Sequence, residues 1–215
     1  SLEGLGLLGF KLVMPDLWTP LMGFQHLGFS EDETRILYQV LLANFRMKGA
    51  VLFPDIVSPQ DDFFAPRNRE YFFIKKRAEK GRSKPNVFGW NPTVKNRLNS
   101  RLDYLLRVIR TGLGQEISNE EGDRILSAIW NNDLFPANQT SNWNSHFSAV
   151  SLDDGQIVYR IKPDHWELQP GFLDSTIAWY YCDTCNNLSL FNVRNVCPTY
   201  QCPGKLHKCD PYEVF

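Results

Sequence analysis

The apolar positions of the chain fall into two rhythms, a helical one in the middle and a two-residue one later. Ile36, Leu37, Val40, Leu41, Ala43, Phe45 and Met47 recur at helical spacing. Ser30 and Glu33 stand just ahead of them as a capping box, in which each side chain satisfies an orphan backbone N–H of the first turn. Gly49 supplies the stop. A second helix is expected from Val94: Val94, Leu98, Leu102, Leu105, Leu106 and Ile109 share one face, with Lys95, Arg97, Arg101, Arg107 and Arg110 off it, and Gly112 and Gly114 end it. A second capping box, Ser118 with Glu121, opens a third helix whose stripe is Ile125, Leu126, Ile129 and Trp130, ending near Asn131 and Asn132.

After a polar loop at 138–145 the period becomes two. His146–Leu152 and Gln156–Ile161 flank Asp153-Asp154-Gly155, a strong hairpin turn. Two helices followed by a hairpin is the order of a winged helix, where a helix docks in a DNA groove and the wing touches the backbone. Upstream, Ala50–Val57 reads as a strand and Glu70–Arg77 as an aromatic strand running into a basic tip, with a loop over Lys80–Pro85. Residues 5–29, broken by Pro15 and Pro20, read as short helical turns or irregular packing. Pro163, Pro170 and Gly171 read as a linker. The expected fold class is α+β, mostly helical, in three units. These are a helical segment with a basic aromatic arm (5–92), a winged-helix-like domain (93–170) and a small cysteine ribbon (171–215).

All five cysteines lie in that last unit. Cys182 and Cys185 form a C-x2-C pair, and Cys197 and Cys202 a C-x4-C pair. Each pair lets one tight turn present two thiolates to the same ion, and two pairs make a closed tetrahedral zinc site. The spacer Asn186–Val196 suits a hairpin that brings the second turn beside the first. The alternative is two disulfides, which the absence of a visible signal peptide and the clustering in one corner disfavour. Four thiolates leave no open position on the metal, so a structural role is expected. Cys209 and His207 read as ordinary residues of a terminal strand.

With 43% hydrophobic residues in 215, the chain has ample material for a packed core. No apolar run reaches the ~18–20 residues that span a membrane; with the clustered cysteines this points to the cytoplasm and to no membrane partner. The abrupt apolar start reads as a piece of something longer. Charge changes the picture most. Pro66–Arg110 holds thirteen Lys and Arg against three acids, a local net of +10 in a chain whose total is −1. Such a block expects a polyanion. The candidate nucleic-acid contacts are Lys75, Lys76, Arg77, Arg82, Lys84, Lys95, Arg97 and Arg101, where cations for phosphates lie beside rings for bases. Two of Tyr71, Phe72 and Phe73 are expected to be core instead.

Catalytic signatures are absent from the sequence: no phosphate loop, no G-x-S-x-G, no H-E-x-x-H, and no acid two residues before a lysine. Asp164-His165-Trp166-Glu167 is the one tight cluster of ionisable groups and reads as a surface ion pair.

Tyr159-Arg160-Ile161-Lys162-Pro163-Asp164-His165-Trp166, then C-x2-C, then the C-P-x3-C-x-G-x-L phrase Cys197–Leu206 resemble the accessory region of very large bacterial DEAD/DEAH-box helicases, superfamily 2 enzymes related to the long helicases of DNA repair and phage-defence islands. The resemblance implies a non-catalytic fragment beside the motor domains of an ATP-dependent parent helicase, contacting single- or double-stranded DNA or coupling domains. A protein–protein adaptor, whose ribbon clips neighbouring domains, and an unrecognised enzyme are the alternatives.

Overall fold

The computed structural model describes residues 5–53, 70–77, 84–94, 97–171, 173–174 and 176–210. The first capping box forms as the sequence demands: the Ser30 side chain accepts from the Glu33 N–H, and Glu33 accepts from the Ser30 N–H, opening Glu31–Met47. A short helix, α1 (Met22–His26), precedes this long one, α2. The second box opens α4 (Asn119–Ala128) in the same way. The helix expected from Val94 begins later, as α3 (Ser100–Arg107), because Asn99 caps it by accepting from the Leu102 N–H. Both α3 and α4 continue into a π-helical turn, Val108–Gly112 and Ile129–Leu134. Gly122 lets them cross closely, since a Cβ there would lie 2.7 Å from Leu106 Cδ2 and 2.8 Å from Leu102 Cδ1.

Among the described residues nine strands make three sheets. Strands β1 (Leu8–Leu12) and β6 (Trp166–Pro170) pair antiparallel. Strands β2 (Phe72–Ile74), β3 (Val87–Gly89), β4 (Phe147–Ser151) and β5 (Ile157–Ile161) form a sheet in the order β3-β2-β5-β4, with β2 and β3 parallel. Strands β7 (Tyr180–Cys182), β8 (Leu188–Ser189) and β9 (Leu206–Lys208) form the third, antiparallel throughout.

The class is α+β, but with 32% of the chain helical it is not mostly helical. The missed strands explain the difference. β1 and β6 find their partners about 150 residues apart in sequence, a pairing that no local period reveals. Residues 8–12 therefore form a strand where helical turns or irregular packing were expected, and the 163–171 linker holds β6. The expected hairpin is present as β4 and β5, yet β5 is an inner strand flanked by β2 and β4. One apolar core runs from Leu12 to Val196, so the units expected at 5–92 and 93–170 share both a core and a sheet. Of the three aromatics before the basic tip, Phe72 and Phe73 are buried and Tyr71 is half-buried. Of the strand expected over Ala50–Val57, Val51 bridges Ile161, while 54–57 lie outside the described residues, as do Lys80–Ser83 of the expected loop.

Buried polar groups fix how the layers sit. Gln39 of α2 brackets Leu12 like a neighbouring strand, accepting from its N–H at 2.8 Å and donating to its carbonyl at 2.6 Å. Asp133 accepts from Trp18 Nε1 at 2.9 Å and from the Tyr38 hydroxyl at 2.7 Å. Burial raises the Asp133 pKa, and the bonds from Tyr38 and Trp18 pull it back. An apolar replacement would strand two buried donors, at about 1–3 kcal/mol each. Asp133→Leu is therefore expected to lower stability by about 2–5 kcal/mol, and Asp133→Asn, which keeps an acceptor, by less. Urea unfolding midpoints check this; an unchanged midpoint for Asp133→Leu would remove Asp133 from its place as the polar anchor of the core.

Candidate metal centre and basic surface

The two cysteine pairs sit on two facing turns. In the first, the Asn186 N–H bonds the Cys182 carbonyl at 3.0 Å and Asn186 takes a left-handed φ of 58°. In the second, the Cys202 N–H bonds the Thr199 carbonyl at 3.1 Å and Gln201 takes φ 56°. Asparagine and glutamine adopt that region only where a turn requires it. The turns bring the sulfurs of Cys182, Cys185, Cys197 and Cys202 all within 4.8 Å of one another. Cys182 and Cys202 Sγ are 3.6 Å apart, and Cys185 and Cys197 Sγ 3.7 Å.

Those spacings decide between the two readings of the cysteines. A disulfide needs sulfurs about 2.05 Å apart. A tetrahedron of four sulfurs, each about 2.3 Å from a central ion, has edges of about 3.8 Å. The cysteines are free thiols and their spacing fits the tetrahedron, so the four can hold a metal ion. Backbone N–H groups two residues on point at each sulfur: Thr184 at Cys182, Asn187 at Cys185, Thr199 at Cys197 and Gly204 at Cys202. Such bonds stabilise thiolate charge. Burial pushes Cys197 up to about 12. At Cys185 burial also acts upward, but the Asn187 N–H, Thr199 and the neighbouring sulfurs outweigh it and bring the thiol to about 7.

Cys209 stays out of the cluster. It is buried against Trp179, Ile177, Leu188 and Leu190, and burial raises its pKa. His207 bonds Asp183 at 3.2 Å and its ring lies beside that of Tyr181.

Two residues that sequence reading did not single out as part of the site fix the centre to the body. Arg107 Nη1 donates to the carbonyls of Cys197 and Cys202 at 2.7 and 2.8 Å, and Nη2 to that of Thr199 at 2.9 Å. Asp103, one turn back on α3, accepts from Arg107 and from the Gln201 N–H at 2.9 Å. Their spacing of four residues marks an ion pair on one helix face, but nothing local says what lies opposite. Gly204 packs the two turns together: a Cβ there would stand 2.4 Å from Cys182 Sγ and 2.7 Å from Thr184 Cβ.

The basic candidates separate. Lys75, Lys76 and Arg77 leave the end of β2 beside β3, where Asn91 N–H bonds the Lys75 carbonyl at 2.8 Å. Lys76 and Arg97 are exposed, and Lys75 and Arg77 half-buried. Among the described residues no carboxylate pairs with these four. Lys84 lies 3.7 Å from Asp153 at the hairpin tip. Arg101 is not at the surface. It is 4% exposed, with its guanidinium donating to the Gly89 and Trp90 carbonyls and lying over the Phe73 and Trp90 rings. The end of β3 thus takes a side chain that the helical pattern had put on the outer face. Arg82 and Lys95 lie outside the described residues. Among the described residues no helix is long and apolar enough to cross a membrane.

Comparison with protein-family models, curated proteins and solved structures finds no match to this chain.

Two outcomes follow from this geometry. Gly204→Ala is expected to weaken metal retention about 10–100-fold against a chromophoric chelator; retention equal to the native chain would mean the second turn can move away from Cys182. Arg107→Met keeps the side chain's stem and loses its fork. It is expected to keep the metal but lose about 2 kcal/mol of local protection, read as faster amide exchange over 197–202. Unchanged exchange there would show that the turn is held by something else.

Proposed function

We propose that the chain is a non-catalytic nucleic-acid-binding module whose end is fixed by a structural zinc ion on Cys182, Cys185, Cys197 and Cys202. Zinc is the ion of choice because four thiolates in a closed tetrahedron suit it and leave no place for substrate or water. The observation that carries the binding reading is the run Lys75-Lys76-Arg77 at the end of β2, with Arg97 exposed on the approach to α3. These cations have no carboxylate partner among the described residues, and phosphate contacts by such groups give affinity without sequence choice.

In this reading the activity sits beside a motor in a longer cytoplasmic protein, with DNA as the strand bound, as the resemblance to accessory regions of large DEAD/DEAH-box helicases implies. In that setting α3, α4 and the β4–β5 hairpin are read as winged-helix-like, from their order alone. The adaptor reading has less behind it, since the second cysteine turn gives its carbonyls to Arg107 of its own chain.

Fluorescence anisotropy with labelled single- and double-stranded DNA tests the reading. Binding at low salt is expected, with log K falling against log salt by about 0.9 per neutralised phosphate on duplex and about 0.7 on single strands. Reversing Lys75, Lys76 and Arg77 to Glu is expected to abolish it while the fold and metal content stay native. No binding at low salt by the native chain would contradict the proposal.

A further inference from the structure

Two histidines outside the metal centre and the basic run lie stacked on each other. The ring centroids of His146 and His165 are 3.8 Å apart, with the planes at 15°. His146 is 3% exposed, and Trp143 stands edge-on to it at 5.2 Å. Its Nε2 lies 2.6 Å from the Val13 carbonyl, which can only accept, so the bond itself assigns the proton to Nε2. Its Nδ1 faces the Ser145 hydroxyl at 3.1 Å. His165 Nε2 donates in the same way to the Ser145 carbonyl at 2.9 Å. Backbone bonds run alongside, from the Val13 N–H to the His165 carbonyl and from the Lys162 N–H to the His146 carbonyl, both at 2.8 Å. The two rings therefore clasp the β1–β6 pair, which Val13 and His165 adjoin, to the turn that leads into β4.

The clasp depends on how many protons it holds. One proton added to His146 is accommodated, since the Ser145 hydroxyl turns from donor to acceptor at Nδ1 and both Nε2 bonds stay. A second sets two like charges face to face, one of them shut off from water. The charged groups on the surrounding elements are Lys162 and Asp164 in the β5–β6 turn, Lys11 and Glu167 opposite each other in the β1–β6 pair, and Asp16 past the end of β1. Asp133 is taken up by Trp18 and Tyr38. Of these groups Lys162 is the one whose charge acts on His146, and it is a cation too. Among the described residues no carboxylate pairs with either ring. Burial pushes the His146 pKa below its ordinary 6.5, the charges of His165 and Lys162 push the same way, and the Val13 bond opposes them. The stability that follows is present above about pH 6.5 and is lost as pH falls through the lowered value.

What the clasp holds reaches the cysteine unit. Gly9 of β1 leaves no room for a Cβ beside Leu190 and Trp179, and Trp179 Nε1 donates to the Pro170 carbonyl of β6 at 3.0 Å. At its other end β1 is bracketed by Gln39 of α2 through Leu12. The β1–β6 pair thus links α2 to the cysteine unit, and the two histidines pin the end nearer α2. We propose that His146 and His165 form a pH-sensitive latch, which holds the β1–β6 pair to the core while neutral and releases it when both rings are charged. The latch needs no ligand and stands apart from the nucleic-acid reading.

Amide hydrogen exchange between about pH 7 and about pH 5, corrected for the intrinsic rate at each pH, tests the latch. The amides to follow are Leu12 and Lys162, which tie the joint to Gln39 and to His146, with the β4–β5 ladder as internal reference. On acidification their protection is expected to fall by about ten-fold or more relative to the ladder, the factor that one unit of pKa shift carries. His165→Gln keeps a donor for the Ser145 carbonyl, cannot charge, and leaves the buried His146 in place. It is expected to shrink the drop to about three-fold or less, and His146→Gln to abolish it. Both variants keep the cysteine unit, so any loss of metal in acid shows in them as in the native chain. No drop in the native chain, a drop shared equally by the ladder, or a His165→Gln chain that responds as the native one does would overturn the latch.

Discussion

The guanidinium of Arg107 joins the two chemically distinct parts of this protein. It takes three carbonyls of the turn that carries Cys197 and Cys202, and it is itself held by Asp103. A planar fork with fixed donors fits such a set of oxygens in a way that an ammonium would not. The consequence reaches in both directions. The second pair of sulfurs is positioned by a helix of the main core, and the end of α3 is in turn gripped by a turn that the metal would close. Val193 and Val196 of the same segment belong to the main core, so the cysteine unit is an integral wall of the molecule and not a pendant.

What could be read from the sequence follows from what is local. The capping boxes at Ser30 and Ser118 and the hairpin turn at Asp153–Gly155 are decided by residues within a few positions of each other, and they form as expected. The four cysteines are legible for the same reason: each pair needs only its own turn. The strand pairing of 8–12 with 166–170 depends on partners brought together by the whole fold. Arg101 shows the limit most clearly. Its position on the helical wheel puts it outside, but the end of β3 lies against that face with the Gly89 and Trp90 carbonyls and the Trp90 ring, and β2 adds the Phe73 ring. Asp103 and Arg107 stand four apart on α3, and the turn they hold lies some ninety residues on, where no local pattern points to it.

The arrangement divides labour between rigidity and charge. The four-cysteine cluster lies against α3, where Arg107 holds its second turn. The cations without a carboxylate partner among the described residues lie at the end of β2, beside β5 of the hairpin at whose tip Lys84 is drawn to Asp153. In the proposed reading the cysteine unit supplies the fixity and the parallel pair β2–β3 supplies the positive edge.

The central claim is that four thiolates around one zinc ion hold this wall in place. X-ray absorption at the zinc edge on the purified chain tests it most directly. The account predicts one zinc per chain with four sulfur neighbours at about 2.3 Å. A folded chain without metal, or a zinc ion with nitrogen or oxygen in place of any of the four sulfurs, would contradict it.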